Sequence, residues 1–446
     1  MADSDTIFAL ATAAGAAGIA VLRLSGPGAG PALHELAGLV PRPRRAMRAK
    51  FRDPATGEAI DDGLALFFPG PRSFTGEDVA ELQLHGSRAV VAALLAILGR
   101  FPGFRLAEPG EFTRRAFENG KLDLTAVEGL ADLVAAETEA QRRQALRQLE
   151  GDLGRLYEGW RERGVRALAR LEAEIDFPDE ALPAEIQAEV AAEVATLKRE
   201  ITAHLADGHR GERLREGVSV AILGPPNAGK SSLLNALARR DVAITAPTAG
   251  TTRDVLEVAL DLGGFPVLIA DTAGLRAAGD DVEREGVRRA LARAEAADLR
   301  LILLDVTKLE EAEGVRSLIN EQAKIIVNKI DLTTAEAGAW ADVLGAGPAL
   351  RISVASGAGM GELVAWLEAA VAARFSLHEA PAVTRVRHRS ALEEALKALQ
   401  RFETAGLPEL AAEELRLALR CLGRITGRVE VEELLDVIFK EFCIGK

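Results

Sequence analysis

Four short stretches carry residue types and spacings suited to phosphate chemistry. The first, Gly224-Pro-Pro-Asn-Ala-Gly-Lys-Ser231, is a G-x-x-x-x-G-K-S octapeptide. It follows an apolar run starting at Val218 and precedes a helical pattern over residues 232–238. Glycines let the backbone wrap an anion, while successive N–H groups and the helix N-terminus point at phosphate oxygens. Lys230 is placed to pair with β- and γ-phosphates, and the Ser231 hydroxyl suits Mg²⁺. A Gly-rich strand–helix turn without a ligand would give the same octapeptide, so the later stretches decide. Thr248-Ala-Gly-Thr-Thr-Arg-Asp254 offers hydroxyls ahead of a strand pattern, fit for a switch loop closing on Mg²⁺ and a γ-phosphate. Asp271-Thr-Ala-Gly274 follows Phe265-Pro-Val-Leu-Ile-Ala270, which puts a carboxylate at a strand's end, where it can hold the metal's water shell. Gly274 can place an N–H on the γ-phosphate.

The fourth stretch, Asn328-Lys-Ile-Asp331, follows the apolar Lys324-Ile-Ile-Val327. The Asp331 carboxylate can accept hydrogen bonds from guanine N1–H and N2–H₂. Adenine lacks both donors and would leave the charge unpaired, a penalty of about 1–3 kcal/mol or more. The four stretches in this order resemble the GTPase family, which implies an enzyme that hydrolyses GTP on an α/β P-loop, Ras-like domain. Leu275 stands where regulatory GTPases carry a glutamine that orients the attacking water, and leucine cannot do so. No arginine finger is identifiable.

These elements sit in a chain of 446 residues, enough for about three domains. Its 48% hydrophobic content is ample for cores, and abundant alanine with few aromatics favours helices. The net charge of −13 argues against indiscriminate nucleic-acid binding, so any RNA contact must come from local basic patches; no DNA partner is expected. Cys421 and Cys443 are too few for a disulfide framework or a zinc site, which suits a reducing compartment. The acidic N-terminus shows no signal peptide, and no apolar span is long enough to cross a bilayer; the expected location is the cytoplasm.

Residues 1–119 read as α+β. Strand patterns begin at Asp5, Gly18, Gly63 and Asp78, with helical patterns over 28–37 and 87–98. In the fourth strand, alternation puts Ala80, Leu82 and Leu84 on one face and Glu81, Gln83 and His85 on the other. Such a polar face is usually just solvated. The basic run over 41–52 is likewise more often a solvated edge than an RNA site. From about Lys121 the period becomes helical: Val127, Leu130 and Val134 share one face, and Leu146, Leu149, Leu153 and Leu156 another. A helix carrying Ile186, Val190, Val194, Leu197, Ile201 and Leu205 stops at Gly208. The Ser390/Glu393 spacing predicts a capping box, and a final helix is expected to place Leu435, Ile438, Phe439 and Phe442 on one side. The expected architecture is an α+β domain (1–119), an all-α helical domain (120–216 and 376–446), and the GTPase domain (217–375) inserted between the helical halves.

This order, with Leu22-Arg-Leu-Ser-Gly26, Pro109-Gly-Glu-Phe-Thr-Arg-Arg-Ala-Phe117, Asn119-Gly-Lys-Leu-Asp-Leu124 and the tail Phe442-Cys-Ile-Gly-Lys446, resembles the MnmE (TrmE) family of tRNA modification GTPases over nearly the whole chain. The resemblance implies a homodimer that joins a flavoprotein of the MnmG type, carrying FAD, in a heterotetramer acting on tRNA. The complex would add an aminomethyl or carboxymethylaminomethyl group at C5 of the wobble uridine. The head domain would hold 5,10-methylene- or 5-formyl-tetrahydrofolate through Arg23, Glu81, Lys121 and Lys446. Glu81 would then face the pterin, whose paired N–H groups a carboxylate can accept.

The resemblance also assigns the nucleotide site. GTP would contact Asn227, Ala228, Gly229, Lys230, Ser231 and Ser232 in the phosphate loop. Further contacts would come from Ala246, Pro247, Thr248, Ala249, Gly250, Thr251 and Thr252, and from Asp271, Thr272, Ala273 and Gly274. The base would meet Asn328, Lys329 and Asp331, then Ser353, Val354 and Ala355, where Ser-Val-Ala replaces the more usual Ser-Ala-Lys and its lysine stem. Mg²⁺ would lie on Ser231 and Thr252, and an activating K⁺ on Asn227, Ala246, Thr248 and Thr251. That cation can neutralise charge where an arginine finger would. Glu283 would be the catalytic acid, orienting the water through a second water, alongside Lys230. Cys443, beside the last helix, is either a packing residue or close to the folate chemistry.

Two other readings stand. One is a GTP-dependent switch such as a ribosome-assembly factor, although no KH-type G-x-x-G clamp is present to favour it. The other is a folate-dependent methylene transferase working alone, with GTP hydrolysis as its regulator.

Overall fold

The computed structural model describes residues 5–176, 184–207, 209–240, 243, 257–271, 297–308, 316, 319–333, 349–375, 381–429, 435, 438–439, 442 and 445. The chain divides into two compact units. One comprises Met1–Ala131, Arg147–Arg199 and Ala391–Lys446, and the other Asp132–Leu146 and Glu200–Ser390.

The first unit opens with six strands: β1 (Thr6–Leu10), β2 (Ala17–Ser25), β3 (Met47–Arg52), β4 (Ala59–Phe68), β5 (Val79–Gly86) and β6 (Phe104–Leu106). They form one sheet in the order β3-β4-β5-β2-β1-β6. β1 pairs parallel with β6, and the other pairings are antiparallel. Period-two alternation drives the layering. Phe8, Leu22, Leu24, Ala80, Leu82 and Leu84 point to one face and pack under the apolar stripes of helices Ala29–Ala37 and Arg88–Leu98. The second of these helices starts where the Ser87 hydroxyl accepts the Val90 N–H at 3.1 Å. On the opposite face Ile7 and Ala9 are covered by Phe112 of helix Glu111–Glu118.

Two strands of this sheet went unread in the sequence, β3 and the three-residue β6. β3 carries the second half of the basic run: Ala49 and Phe51 are buried while Arg48, Lys50 and Arg52 are exposed. It is an edge strand with outward charges, an arrangement that discourages edge-to-edge pairing.

The same unit contains helical packing centred on Asp152–Asp176 and Pro408–Thr426. Gly164 lets the two approach closely, since a Cβ there would sit 2.4 Å from Leu419 Cδ2. Leu435, Ile438, Phe439 and Phe442 pack with Leu124 and Val127, as their spacing predicts. Two expectations are corrected. Leu146 and Leu149 do not continue into Leu153 and Leu156 on one helix. Gly151, at φ +90°, ends helix Glu139–Leu149 before Asp152–Asp176 begins. Ser390 caps nothing, because helix Val386–Thr404 already starts four residues upstream and Ser390 is exposed within it. Helix Ala184–Leu205 ends where its pattern ends, and Gly208 lies outside the described residues.

The second unit is built on β7 (Val218–Leu223), β8 (Glu257–Leu262), β9 (Phe265–Asp271), β10 (Leu299–Asp305), β11 (Ala323–Asn328) and β12 (Leu350–Arg351). The order is β12-β11-β10-β7-β9-β8, parallel except for the antiparallel edge strand β8. β10 is buried at every position, as an interior parallel strand should be. Helices Lys230–Ala238 and Met360–Ala372 contribute Leu233, Leu234, Leu237, Leu363 and Leu367 to the core beside the sheet. β7 lies between β9 and β10, which reach it from different points in the chain. The carboxyl end of β7 is therefore the switch point of the sheet, where open α/β folds form their ligand crevice. Among the described residues no helix is long and apolar enough to cross a membrane.

Candidate functional site

At that switch point the chain leaves β7 through Gly224, at φ +149°. A Cβ there would sit 2.1 Å from the Leu303 carbonyl oxygen on the neighbouring β10, so only glycine fits. The loop passes Asn227 in the left-handed region (φ +64°), and then Gly229 (φ +102°) starts the helix Lys230–Ala238. Asparagine is among the side chains that enter that region most readily. The Lys230 ammonium donates to the carbonyls of Gly224 and Pro225, each at 2.8 Å, so the cation is held inside the curve of the loop. Ser231 and Ser232 occupy the exposed first turn of the helix. The helix N-terminus and the ammonium both favour an anion there.

The loop is fastened from β11. Asn328, 2% exposed, donates from Nδ2 to the Ala228 carbonyl at 2.9 Å and accepts the Val354 N–H on Oδ1 at 3.1 Å. One amide thus ties the phosphate loop to the Ser353–Ala355 loop. Ser353 is fully buried, with its hydroxyl accepting the Ser356 N–H at 3.1 Å. Val354 is half-buried and Ala355 is exposed. Asp331 sits in the short turn Ile330–Leu332, exposed, where its carboxylate is open to a ligand.

Lys329 adopts φ +65°, and its ammonium donates to the Asn227 carbonyl at 2.9 Å and to Asp305 Oδ2 at 2.5 Å. Asp305 was not among the residues singled out in the sequence. Its signal is an acid closing the apolar run of β10, the same position that Asp271 holds on β9. Burial would raise the Asp305 carboxyl, but the Lys329 ammonium and the Thr307 donors outweigh it and lower its pKa.

Asp271 ends β9 opposite Ile222 of β7, which puts its backbone beside the start of the phosphate loop. Ala246 to Thr252, Thr272 to Gly274 and Glu283 lie outside the described residues, so of the expected K⁺ ligands only Asn227 is placed.

In the first unit, Arg23 and Glu81 are register partners across β2 and β5. The guanidinium meets Glu81 Oε1 at 3.0 Å, with side-chain exposures of 24% and 19%. Above them the Arg23 guanidinium carbon lies 5.8 Å from the Phe74 ring centre and 5.9 Å from that of Phe112. Lys121 donates to the Pro71 carbonyl at 3.0 Å, on the loop that carries Phe74. Lys446 and Cys443 lie outside the described residues, but Gly445 approaches the end of β1, where a Cβ would be 2.2 Å from the Leu10 carbonyl oxygen. Gly445 therefore lies beside the strand that pairs with Arg23's own.

The neighbouring Pro109–Phe117 stretch serves structure. Arg115 is held by Asp5 at 2.6 Å, by Glu77 at 3.2 Å and by Glu111 at 3.3 Å. Glu77 also accepts the Ser25 hydroxyl at 2.7 Å. Burial would raise the Glu111 carboxyl, yet Arg105 and the Glu108 N–H bring it below the usual range.

Comparison with known proteins covers the whole chain. The family described as GTP-binding protein TrmE N-terminus matches residues 6–121, and the MnmE helical domain matches residues 124–443. The tRNA modification GTPase MnmE of Parvibaculum lavamentivorans is 58% identical over 453 residues, covering 99% of this chain and 100% of the relative. The protein of the same name from Paramagnetospirillum magneticum is 58% identical over 445 residues, with 99% and 100% covered. A mitochondrial 5-taurinomethyluridine tRNA synthase subunit of Danio rerio is 49% identical over 466 residues, covering 99% of this chain and 93% of the relative. With an α+β head, a helical domain and a P-loop GTPase domain in one chain, the protein belongs to the MnmE family of tRNA modification GTPases.

Proposed function

We propose that the chain hydrolyses GTP to drive modification of tRNA at C5 of the wobble uridine. It acts as a homodimer with an FAD-carrying MnmG-type flavoprotein, and the product is an aminomethyl or carboxymethylaminomethyl group. The observation that carries this over a bare nucleotide switch is the extent of the likeness. A switch would share its nucleotide domain with relatives, whereas here head and helices match as well.

In the nucleotide site, Lys230 pairs with the β- and γ-phosphates and the Ser231 hydroxyl, with Thr252, holds Mg²⁺. Asp331 takes the guanine N–H groups, and the exposed carboxylate of its turn supports that role. Asn227 offers its side-chain carbonyl to K⁺, completed by Ala246, Thr248 and Thr251. A bound K⁺ supplies positive charge beside the phosphates, replacing an arginine finger. Glu283 orients the attacking water, the task Leu275 cannot perform.

In the head, a reduced folate finds a carboxylate for its pterin N–H groups in Glu81, and cations for its anionic tail in Arg23, Lys121 and Lys446. The half-buried Arg23–Glu81 pair under two phenyl rings supports this reading, because it offers charge and aromatic surface together. Nucleoside analysis of tRNA from cells lacking the protein tests the proposal. Loss of the C5 group at wobble uridines is expected, and an unchanged nucleoside profile would leave only the switch.

A further inference from the structure

We infer that Asp305 is a positioning residue for guanine-nucleotide binding, fixing Lys329 in the bridge that joins the base-recognition turn to the phosphate loop. Asp305 stands at the carboxyl end of β10, opposite Asn328 in the parallel register, and is 3% exposed. Its two oxygens divide their work. Oδ1 accepts the Thr307 N–H at 2.9 Å and the Thr307 hydroxyl at 2.7 Å, which fixes the carboxylate's orientation. Oδ2 then faces the Lys329 ammonium at 2.5 Å.

The same ammonium reaches the Asn227 carbonyl at 2.9 Å, so a single cation is gripped by β10 on one side and the phosphate loop on the other. A lysine stem is otherwise free to rotate, and ordering it costs entropy. The Asp305 grip settles that cost before any ligand arrives, which is preorganisation. Two consequences follow. Asn227 is held in its left-handed conformation, and with it the N–H groups of the loop that follows. The Lys329 backbone, itself left-handed, is fixed two residues before Asp331, so the guanine-reading carboxylate inherits its place. Ser353-Val-Ala355 brings no lysine stem, so Lys329 is the long charged side chain that the Asn328–Asp331 and Ser353–Ala355 stretches supply before Asp331.

The inference rests on the GTPase reading of this site, and the test separates the two. The full-length protein is loaded with a fluorescent GDP analogue, and dissociation is followed for wild type, Asp305→Asn, Lys329→Met and the double variant. Asp305→Asn should speed release of GDP, and equally of a non-hydrolysable GTP analogue, by about tenfold, the scale of one charge-assisted hydrogen bond. Lys329→Met should lose at least as much. In its background the further change Asp305→Asn should do nothing, the coupling expected of two residues acting as a unit. Asp305→Glu should recover part of the loss. Unchanged release in Asp305→Asn, or an equal loss with Lys329 already removed, would overturn the inference. If Asp305→Asn cannot be purified folded, Lys329→Met alone decides, since normal release from that variant removes the bridge from nucleotide binding. A wild type that does not bind GDP would instead sink the nucleotide site itself.

Discussion

Asn328 and Ala228, one hundred positions apart, are joined by a 2.9 Å hydrogen bond from a buried side-chain amide to a backbone carbonyl. That bond makes the turn at Asn328–Asp331 and the phosphate loop one object, and it depends on the absence of a side chain at Gly229. A Cβ there would lie 2.5 Å from Asn328 Nδ2, on a residue at φ +102°.

Gly229→Ala should therefore push the amide away and strain the loop, at a cost of about 1–3 kcal/mol for the backbone alone. GTP and GDP affinity should fall by about tenfold or more, read by nucleotide fluorescence titration, while circular dichroism stays that of a folded chain. Wild-type affinity in the variant would mean that the loop relaxes freely.

Cation dependence is the second expectation. GTP hydrolysis should be far faster in K⁺ than in Na⁺, and Asn227→Ala should remove the difference by taking away a side-chain oxygen while keeping the backbone carbonyl that Lys329 holds. Equal wild-type rates in the two salts rule the cation mechanism out.

For the head, Glu81→Ala removes the carboxylate and leaves Arg23 half-buried beneath Phe74 without its partner. Calorimetry with a 5-formyl-tetrahydrofolate should show affinity about tenfold weaker, the cost of a lost charged hydrogen bond. GTP hydrolysis by the separate nucleotide unit should persist. Undiminished folate affinity in both Glu81→Ala and Arg23→Ala would make this pair a plain cross-strand ion pair.

The fourth expectation concerns pH. Burial of the His204 imidazole, aided by His388, Arg389 and Arg210 and opposed by Asp207, lowers its pKa to about 4. A base depressed from its ordinary 6.5 binds its proton more readily in the unfolded chain. Its stabilisation is complete above about 6.5 and is lost as the pH falls toward 4. Urea unfolding across this window should show stability falling on acidification, with a shallower slope in His204→Gln. A proton NMR titration of His204 with its midpoint at the ordinary value would contradict it.

What the sequence determined by itself was whatever fits inside one local window. The phosphate loop is eight contiguous residues between a strand and a helix, so its strand–loop–helix form from Gly224 to Ser231 could be read without any partner in view. The α+β head, the helices and the inserted α/β core were likewise readable, because apolar periods of 2 and 3.6 are local properties. β6 was missed because three residues hold no period, and β3 because its buried Ala49 and Phe51 were masked by the surrounding arginines. The Ser390 cap failed for the complementary reason: a good local signal was overridden by an upstream turn that begins at Val386. Tertiary structure alone decided the pairings. That Arg23 meets Glu81 follows from the register of β2 on β5, and that Asp305 meets Lys329 follows from β10 lying beside β11. Register and strand order are fixed by the burial of whole faces, a cooperative property of the folded sheet that no single stretch encodes.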